Sequence, residues 1–230
     1  MADASRELRS FGRKRGRKIS ARQRRLVDEL LPTLSLPLSE PAIDPAKLFG
    51  INVRDVWLEI GFGGAEHLIW QAEHHPDVGF IGCEPFEDGV VKALSAIEAK
   101  ALANVRLHAG DARDILRRLP DASIGRVFVL FPDPWPKRRH IKRRLLSAAT
   151  FHLLSLVMRS GAQLRVATDI GDYARTILIA AQTAPCLHWL ARSADDWRRR
   201  PGDWPQTRYE QKALREGRRP YFLTFSRTPR

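Results

Sequence analysis

Two cysteines, Cys83 and Cys186, are all that a chain of 230 residues offers. That is too few for a disulfide framework or a zinc cluster. Both read as small buried hydrophobes of a reducing, cytoplasmic protein. No run of about 18 apolar residues occurs, so no membrane-spanning helix is expected. The Arg-rich start lacks the apolar stretch of a secretory signal. The histidines lack metal-ligand spacing, and no metal is expected. Acidic residues are also scarce: 26 against 39 basic ones leaves a formal charge of +13. A surplus of that size draws polyanions and points to nucleic acid.

What is present falls into two regions. Residues 1–30 are crowded with Arg and Lys and offer little apolar spacing, so they read as a flexible basic arm. Residues 31–230 read as one domain, with a proline-rich, irregular lead-in over 31–50. From about residue 55, short apolar runs alternate with helical stretches. The runs are Val56–Ile60, Val78–Cys83, Val105–His108, Val127–Phe131 and Leu164–Ala167. Helical spacing covers Ala65–Glu73, Glu87–Ala99, Ala112–Leu119, Lys142–Met158 and Asp172–Thr183. Such alternation predicts an α/β fold with a parallel sheet and helices on both faces. His188–Ala191 and Tyr221–Phe225 add two later strands and bring the count to seven. Neither composition nor motif decides between a monomer and a homodimer.

The first strand runs into Glu59-Ile60-Gly61-Phe62-Gly63-Gly64. Gly61 and Gly63 permit a sharp turn and a close backbone approach by a ligand. A dinucleotide fingerprint would need glycine at 66, where Glu66 stands, and a carboxylate there is unfavourable beside a pyrophosphate. S-adenosylmethionine has no phosphate and carries a sulfonium, which suits Glu59. Glu84 ends the second strand, where an acid can accept from both hydroxyls of a ribose. Asp111 ends the third, either as a ligand-reading acid or as a helix cap. Three acids at successive strand ends converge on the carboxyl edge of the sheet, where open α/β folds bind ligands.

After the fourth strand comes Phe131-Pro132-Asp133-Pro134-Trp135-Pro136-Lys137-Arg138-Arg139-His140-Ile141-Lys142-Arg143-Arg144. Three prolines stiffen the turn and can hold Asp133 against a cofactor. Arg139, Lys142 and Arg143 share one face if a helix has begun there, while Leu145, Ala149, Leu153 and Leu156 face the sheet. Trp135 reads equally as a base-stacking surface or a core aromatic. This block resembles the signature of the bacterial tRNA (guanine-N(7)-)-methyltransferase family. Ala167-Thr168-Asp169 with Tyr173-Ala174, and Thr207-Arg208-Tyr209-Glu210-Gln211-Lys212 with Gly217 and Tyr221-Phe222-Leu223, carry the same resemblance. It spans about residues 56–227.

The resemblance implies a Rossmann-like class I methyltransferase fold and transfer from S-adenosylmethionine to guanine N(7) in the variable loop of tRNA. It implies a cofactor site of Glu59, Gly61, Gly63, Glu84, Asp111 and Asp133, with Asp111 reading the adenine amine and Asp133 at the reaction centre. Lys137, Asp169, Thr207 and Glu210 are implied as substrate contacts. Asp169 would otherwise be a helix cap, and Thr207 with Glu210 a capping box. Arg139, His140, Lys142, Arg143 and Arg144 are expected on RNA. Family members often carry glycine where this chain has Ala65, and alanine is tolerated if its φ is negative. Two rival readings remain: methylation of an exocyclic base amine, and an RNA-binding module without catalysis. A nicotinamide-dependent dehydrogenase is disfavoured by Glu66 and the basic surface.

Overall fold

The computed structural model describes residues 19–39 and 42–229. Seven strands form one sheet in the order β3-β2-β1-β4-β5-β7-β6. They are β1 (Asp55–Ile60), β2 (Val78–Cys83), β3 (Val105–His108), β4 (Ile124–Leu130), β5 (Met158–Thr168), β6 (Leu187–Trp189) and β7 (Tyr221–Arg227). The first five run parallel, and β7 is antiparallel to both β5 and β6. The expected mostly parallel seven-stranded sheet is therefore present. The last strand inserts between β5 and β6, and β6 forms the edge.

The parallel strands are buried on both faces and divide their side chains between two cores. Val56, Leu58 and Ile60 enter one core with Phe151, Leu154 and Ile177. Trp57, Phe80 and Phe128 enter the other with Leu68, Leu94 and Trp204. The alternation follows from the two-residue period of a strand. Helices cover each face. They are α3 (Glu66–His74), α4 (Glu87–Lys100), α5 (Ala112–Leu116), α6 (Ala148–Val157) and α7 (Gly171–Ala181), with short α8 (Asp195–Arg198) and α9 (Arg208–Arg215) after β6.

The basic arm reaches less far than the sequence suggested. Residues 1–18 lie outside the described residues. From Ser20, which caps the helix with Gln23 in a capping box, the chain forms α1 (Ala21–Arg25), a π-helical stretch (Leu26–Leu30) and α2 (Leu31–Leu34). Leu26 and Leu34 are buried, and Arg22 and Arg25 both donate to Glu98 of α4 at 2.7 Å. Leu26, Leu30 and Leu34, spaced four apart, pack on the same core, an apolar face that begins directly after Arg22, Arg24 and Arg25. Beyond it, Ser35 pairs with Leu107 on β3, so the lead-in begins along the sheet.

Candidate active site

The turn after β1 is held by Gly61, which donates its N–H to the Cys83 carbonyl at 2.8 Å. Gly61 and Gly63 both have positive φ, 75° and 54°. Ala65 also lies in the left-handed region, at φ 64°, as the N-cap of α3. The condition under which alanine is easily tolerated, a negative φ, is thus not met, and the family's glycine answers a real conformational demand. The turn is pressed against α4 at Gly89, where a Cβ would stand 2.4 Å from the Gly63 carbonyl oxygen. Gly89 was missed in the sequence because it looks like a flaw in a helix.

A cavity of about 370 Å³ opens over the carboxyl ends of β1, β2 and β4. Gly61, Gly63, Glu84 and Asp111 line one side, and Asp133, Trp135 and Arg143 the other. Glu84 is buried. Its two oxygens accept from the N–H groups of Gly63 (2.8 Å) and Phe86 (3.0 Å). Burial still pushes its carboxyl up, against the lowering effect of those two bonds. Asp111 caps α5 through the Arg113 N–H and also receives the Arg113 guanidinium on both oxygens, at 2.9 and 2.6 Å. The two readings of Asp111 are compatible, since it caps the helix and lines the cavity. Glu59 is different. It is 4% exposed, does not line the cavity, and accepts from Nδ1 of His67 at 2.7 Å. Strand parity turns it to the α3 side, so it stands behind the Gly-rich turn and does not form the cavity wall as Glu84 and Asp111 do.

The turn after β4 is strained. Phe131 and Trp135 have φ of 51° and 41°, and such values in non-glycine residues cluster at functional sites. Asp133 stands between them at the mouth of the cavity, and desolvation raises its pKa. The brace behind this turn is Arg144. Its side chain is 2% exposed and donates to the Pro134 carbonyl (2.9 Å), Thr176 Oγ1 (2.6 Å) and Asp172 Oδ2 (2.6 Å). The assignment of Arg144 to RNA is corrected: a sealed guanidinium bonded on three sides cannot reach a phosphate.

Between turn and helix, Arg138–Arg143 form a 3₁₀ helix, and α6 begins only at Ala148. The expected helix from Lys142 is shortened because the Leu145–Ser147 segment breaks it and Ser147 caps the new start. In a 3₁₀ helix residues three apart eclipse, so Arg139 and Lys142 align, and both are exposed with Lys137. Arg143 tilts away, with its guanidinium 5.0 Å from the Trp135 ring centre. Trp135 meets the His140 ring edge-on at 5.8 Å. His140 has a lowered pKa, from partial desolvation first and then from Arg143, Arg139 and Lys137.

Asp169 follows β5 and does not cap α7, whose N-cap is Ile170. Its carboxylate accepts from Nε of Arg218 at 2.6 Å, a partner outside every motif. Thr207 caps α9, accepting from the Glu210 N–H. Among the described residues the reciprocal half of a capping box is not formed: the Glu210 side chain instead accepts from Arg200 Nε at 3.2 Å. Both residues are buried, so they shape the segment from beneath. Tyr209 beside them reaches the cavity wall.

Residues 53–223 match a family described as "Putative methyltransferase". The tRNA (guanine-N(7)-)-methyltransferase of Rhodospirillum rubrum is 47% identical over 97% of this chain and 89% of its own length. That of Ruegeria sp. strain TM1040 is 49% identical over 94% of this chain and 87% of its own. Among solved structures, the 16S rRNA methyltransferase KamB aligns with a TM-score of 0.54 at 18% identity, over 77% of this chain and 89% of its own, a likeness of fold. With such identity carried across nearly the full length, this chain belongs to the tRNA (guanine-N(7)-)-methyltransferase family.

Proposed function

We propose that the chain transfers a methyl group from S-adenosylmethionine to N(7) of a guanine in the variable loop of tRNA. The observation that carries the reading is the shared cavity, with Gly61, Glu84 and Asp111 on one wall and Asp133, Trp135 and Arg143 on the other. The donor-side residues fit the cofactor. A Cβ on Gly61 would meet no protein atom within 4 Å, so glycine keeps clear a space that a ligand can fill. Glu84, fixed by two backbone N–H groups, retains lone pairs for ribose hydroxyls. Asp111 offers acceptors for an adenine amine.

When bound, S-adenosylmethionine supplies an electrophilic methyl group on a sulfonium. Guanine N(7) has a lone pair and no proton, so the protein needs no general base. His140, whose pKa is lowered by partial desolvation and by Arg143, Arg139 and Lys137, finds no proton to remove from that nitrogen. The chain's work is positioning and electrostatics. Holding two reactants in line can supply at most about 7–11 kcal/mol. Asp133 stabilises the positive charge that passes to the purine. Asp169, steadied by Arg218, accepts from the ring N–H and the exocyclic amine, the pair that separates guanine from adenine. The target base must leave its stack at a cost of a few kcal/mol, and Trp135 offers it an aromatic edge. Lys137, Arg139 and Lys142 meet phosphates, with Arg143 at the lip. Thr207 and Glu210 hold the α9 start that flanks the base. A tRNA substrate places the reaction in the cytoplasm.

The test is mass spectrometry of nucleosides from tRNA incubated with the protein and labelled S-adenosylmethionine. Label in 7-methylguanosine, with chain cleavage by borohydride and aniline at that site, is expected. Label in an exocyclic-amine product, or cofactor binding without transfer, would sink the proposal.

A further inference from the structure

Glu59, His67 and Gln71 form a buried hydrogen-bond chain beneath the Gly-rich turn. Their exposures are 4%, 2% and 0%, and the chemistry above leaves His67 and Gln71 without a task. His67 Nδ1 lies 2.7 Å from Glu59 Oε2. His67 Nε2 lies 3.2 Å from Gln71 Nε2. The same Gln71 nitrogen lies 2.9 Å from the carbonyl oxygen of Asp203.

Elementary chemistry sets the direction of every link. A backbone carbonyl only accepts, so the amide nitrogen of Gln71 must be the atom that faces it. That nitrogen has two hydrogens and no acceptor capacity, so its second hydrogen goes to His67 Nε2. The imidazole therefore carries its own proton on Nδ1 and donates it to Glu59. Glu59 Oε2 is thereby occupied. Its Oε1 has no hydrogen-bond partner among the described residues and is not fully sealed from solvent.

The far end of the chain is anchored as firmly. Asp203 accepts two bonds from Arg165, at 2.7 and 2.6 Å. Trp204 is 3% exposed and meets the His67 ring edge-on at 5.7 Å. Arg200 donates to the Trp204 carbonyl at 2.6 Å and to Glu210 at 3.2 Å. One imidazole thus touches both the carboxylate two residues before Gly61 and the loop that leads into Thr207 and Glu210.

We propose that His67 is a positioning residue for both halves of the reaction. Through Nδ1 it sets Glu59 so that the free oxygen serves the cationic end of the methyl donor. Through Nε2, Gln71 and Trp204 it sets the 203–210 segment that flanks the base. The proposal rests on the reading of the cavity as the methyl-donor site.

Three variants test it, with calorimetric Kd for S-adenosylmethionine and KM for tRNA as readouts. His67→Phe keeps a ring against Phe128 and Trp204 and removes both hydrogen bonds. It is expected to raise Kd and KM about tenfold each, while kcat at saturation changes less than threefold. His67→Asn can restore an N–H near the Nδ1 position, so Kd should return to within threefold of wild type while KM stays high. Gln71→Leu should raise KM and leave Kd within threefold. A packing role alone would lower Tm and leave both constants near wild type in the folded protein. That result in His67→Phe, or in Gln71→Leu and His67→Asn together should His67→Phe not fold, overturns the proposal. Absence of binding heat in the wild type would instead overturn the donor-site reading itself, so the two failures are distinguishable.

Discussion

On the β1–β3 side of the cavity the carboxylates arrive with their partners in place, whereas on the β4–β5 side the cations stand in solvent. Glu84 is held by two backbone N–H groups and Asp111 by a guanidinium and a helix start. Lys137, Arg139 and Lys142 are exposed on a 3₁₀ turn. The difference matches the two proposed ligands. A small cofactor of fixed shape rewards preorganised acceptors, while a polyanion rewards accessible charge that need not be exact in position. Asp133 sits on the border, rigidly braced from behind by Arg144 and open in front.

The sharpest way to break this contrast is at the border. Asp133→Asn should lower kcat by about 10²–10³ with the fold intact, measured as labelled methyl transfer at saturating substrates. A near-normal kcat would remove Asp133 from the reaction centre. Asp169→Asn should lower kcat/KM by about 5- to 150-fold, the range expected of one bidentate base contact worth roughly 1–3 kcal/mol. Its partner Arg218 makes Arg218→Ala a milder version of the same defect.

Arg144→Ala separates brace from phosphate contact. Loss of bonds from a buried guanidinium should cost about 2–3 kcal/mol, a Tm drop of roughly 5–10 °C for a chain of this size. The salt dependence of tRNA binding should stay unchanged. Arg139→Ala should do the reverse, leaving Tm alone and flattening the slope of log K against log salt by about one if it neutralises one phosphate. An altered slope in Arg144→Ala, or none in Arg139→Ala, would erase the distinction.

Acidity probes the preorganised side. Burial raises the pKa of Glu84 above its ordinary 4.5, and desolvation raises that of Asp133 above 3.8. A carboxyl with a raised pKa is ionised only above that shifted value. Affinity for a cationic donor should therefore be complete at neutral pH and fall as pH drops through a window that begins above the usual carboxylate range. Calorimetry across pH checks this, and affinity held constant down to pH 4 would contradict it. The smallest effect is expected from Ala65→Gly. Relief of left-handed strain, about 1–2 kcal/mol, is offset by a lost buried methyl, about 0.8 kcal/mol, and by a looser unfolded chain, about 0.4–1 kcal/mol. Tm should move by less than about 3 °C.

The sheet was legible where strands are uniformly apolar. Val78–Cys83 and Val105–His108 were read with the bounds that the structure gives. β4 and β5 came out longer than read, since Arg126 and Gln163 stand as polar interruptions just before the apolar runs. Arg126 pairs with Asp203, and Gln163 accepts from Arg165, which itself holds Asp203, a tertiary arrangement with no local signal. The acidic strand ends and the proline turn pointed to the cavity because they recur at fixed places along the alternation. The facing of each side chain was less legible. Arg144 is of the residue type expected on RNA, yet its burial gives it a bracing task, and strand parity sets Glu59 behind the Gly-rich turn rather than along the cavity wall. Arg218 and Gly89 gave no warning, since each matters only through what packs beside it.

The insertion of β7 between β5 and β6 has a consequence for assembly. β6 pairs with β7 and with no other strand, so it waits unpaired until residues 221–227 have followed it. The five parallel strands can gather in the order they are made, while the sheet's far edge is completed from the end of the chain backwards. Arg218, which steadies Asp169, travels with that last strand. A chain stopped before Tyr221 would therefore lose β7 and the partner of β6, and with them the strand that sets Arg218 beside Asp169, even though the strands lining most of the cavity would already be in place.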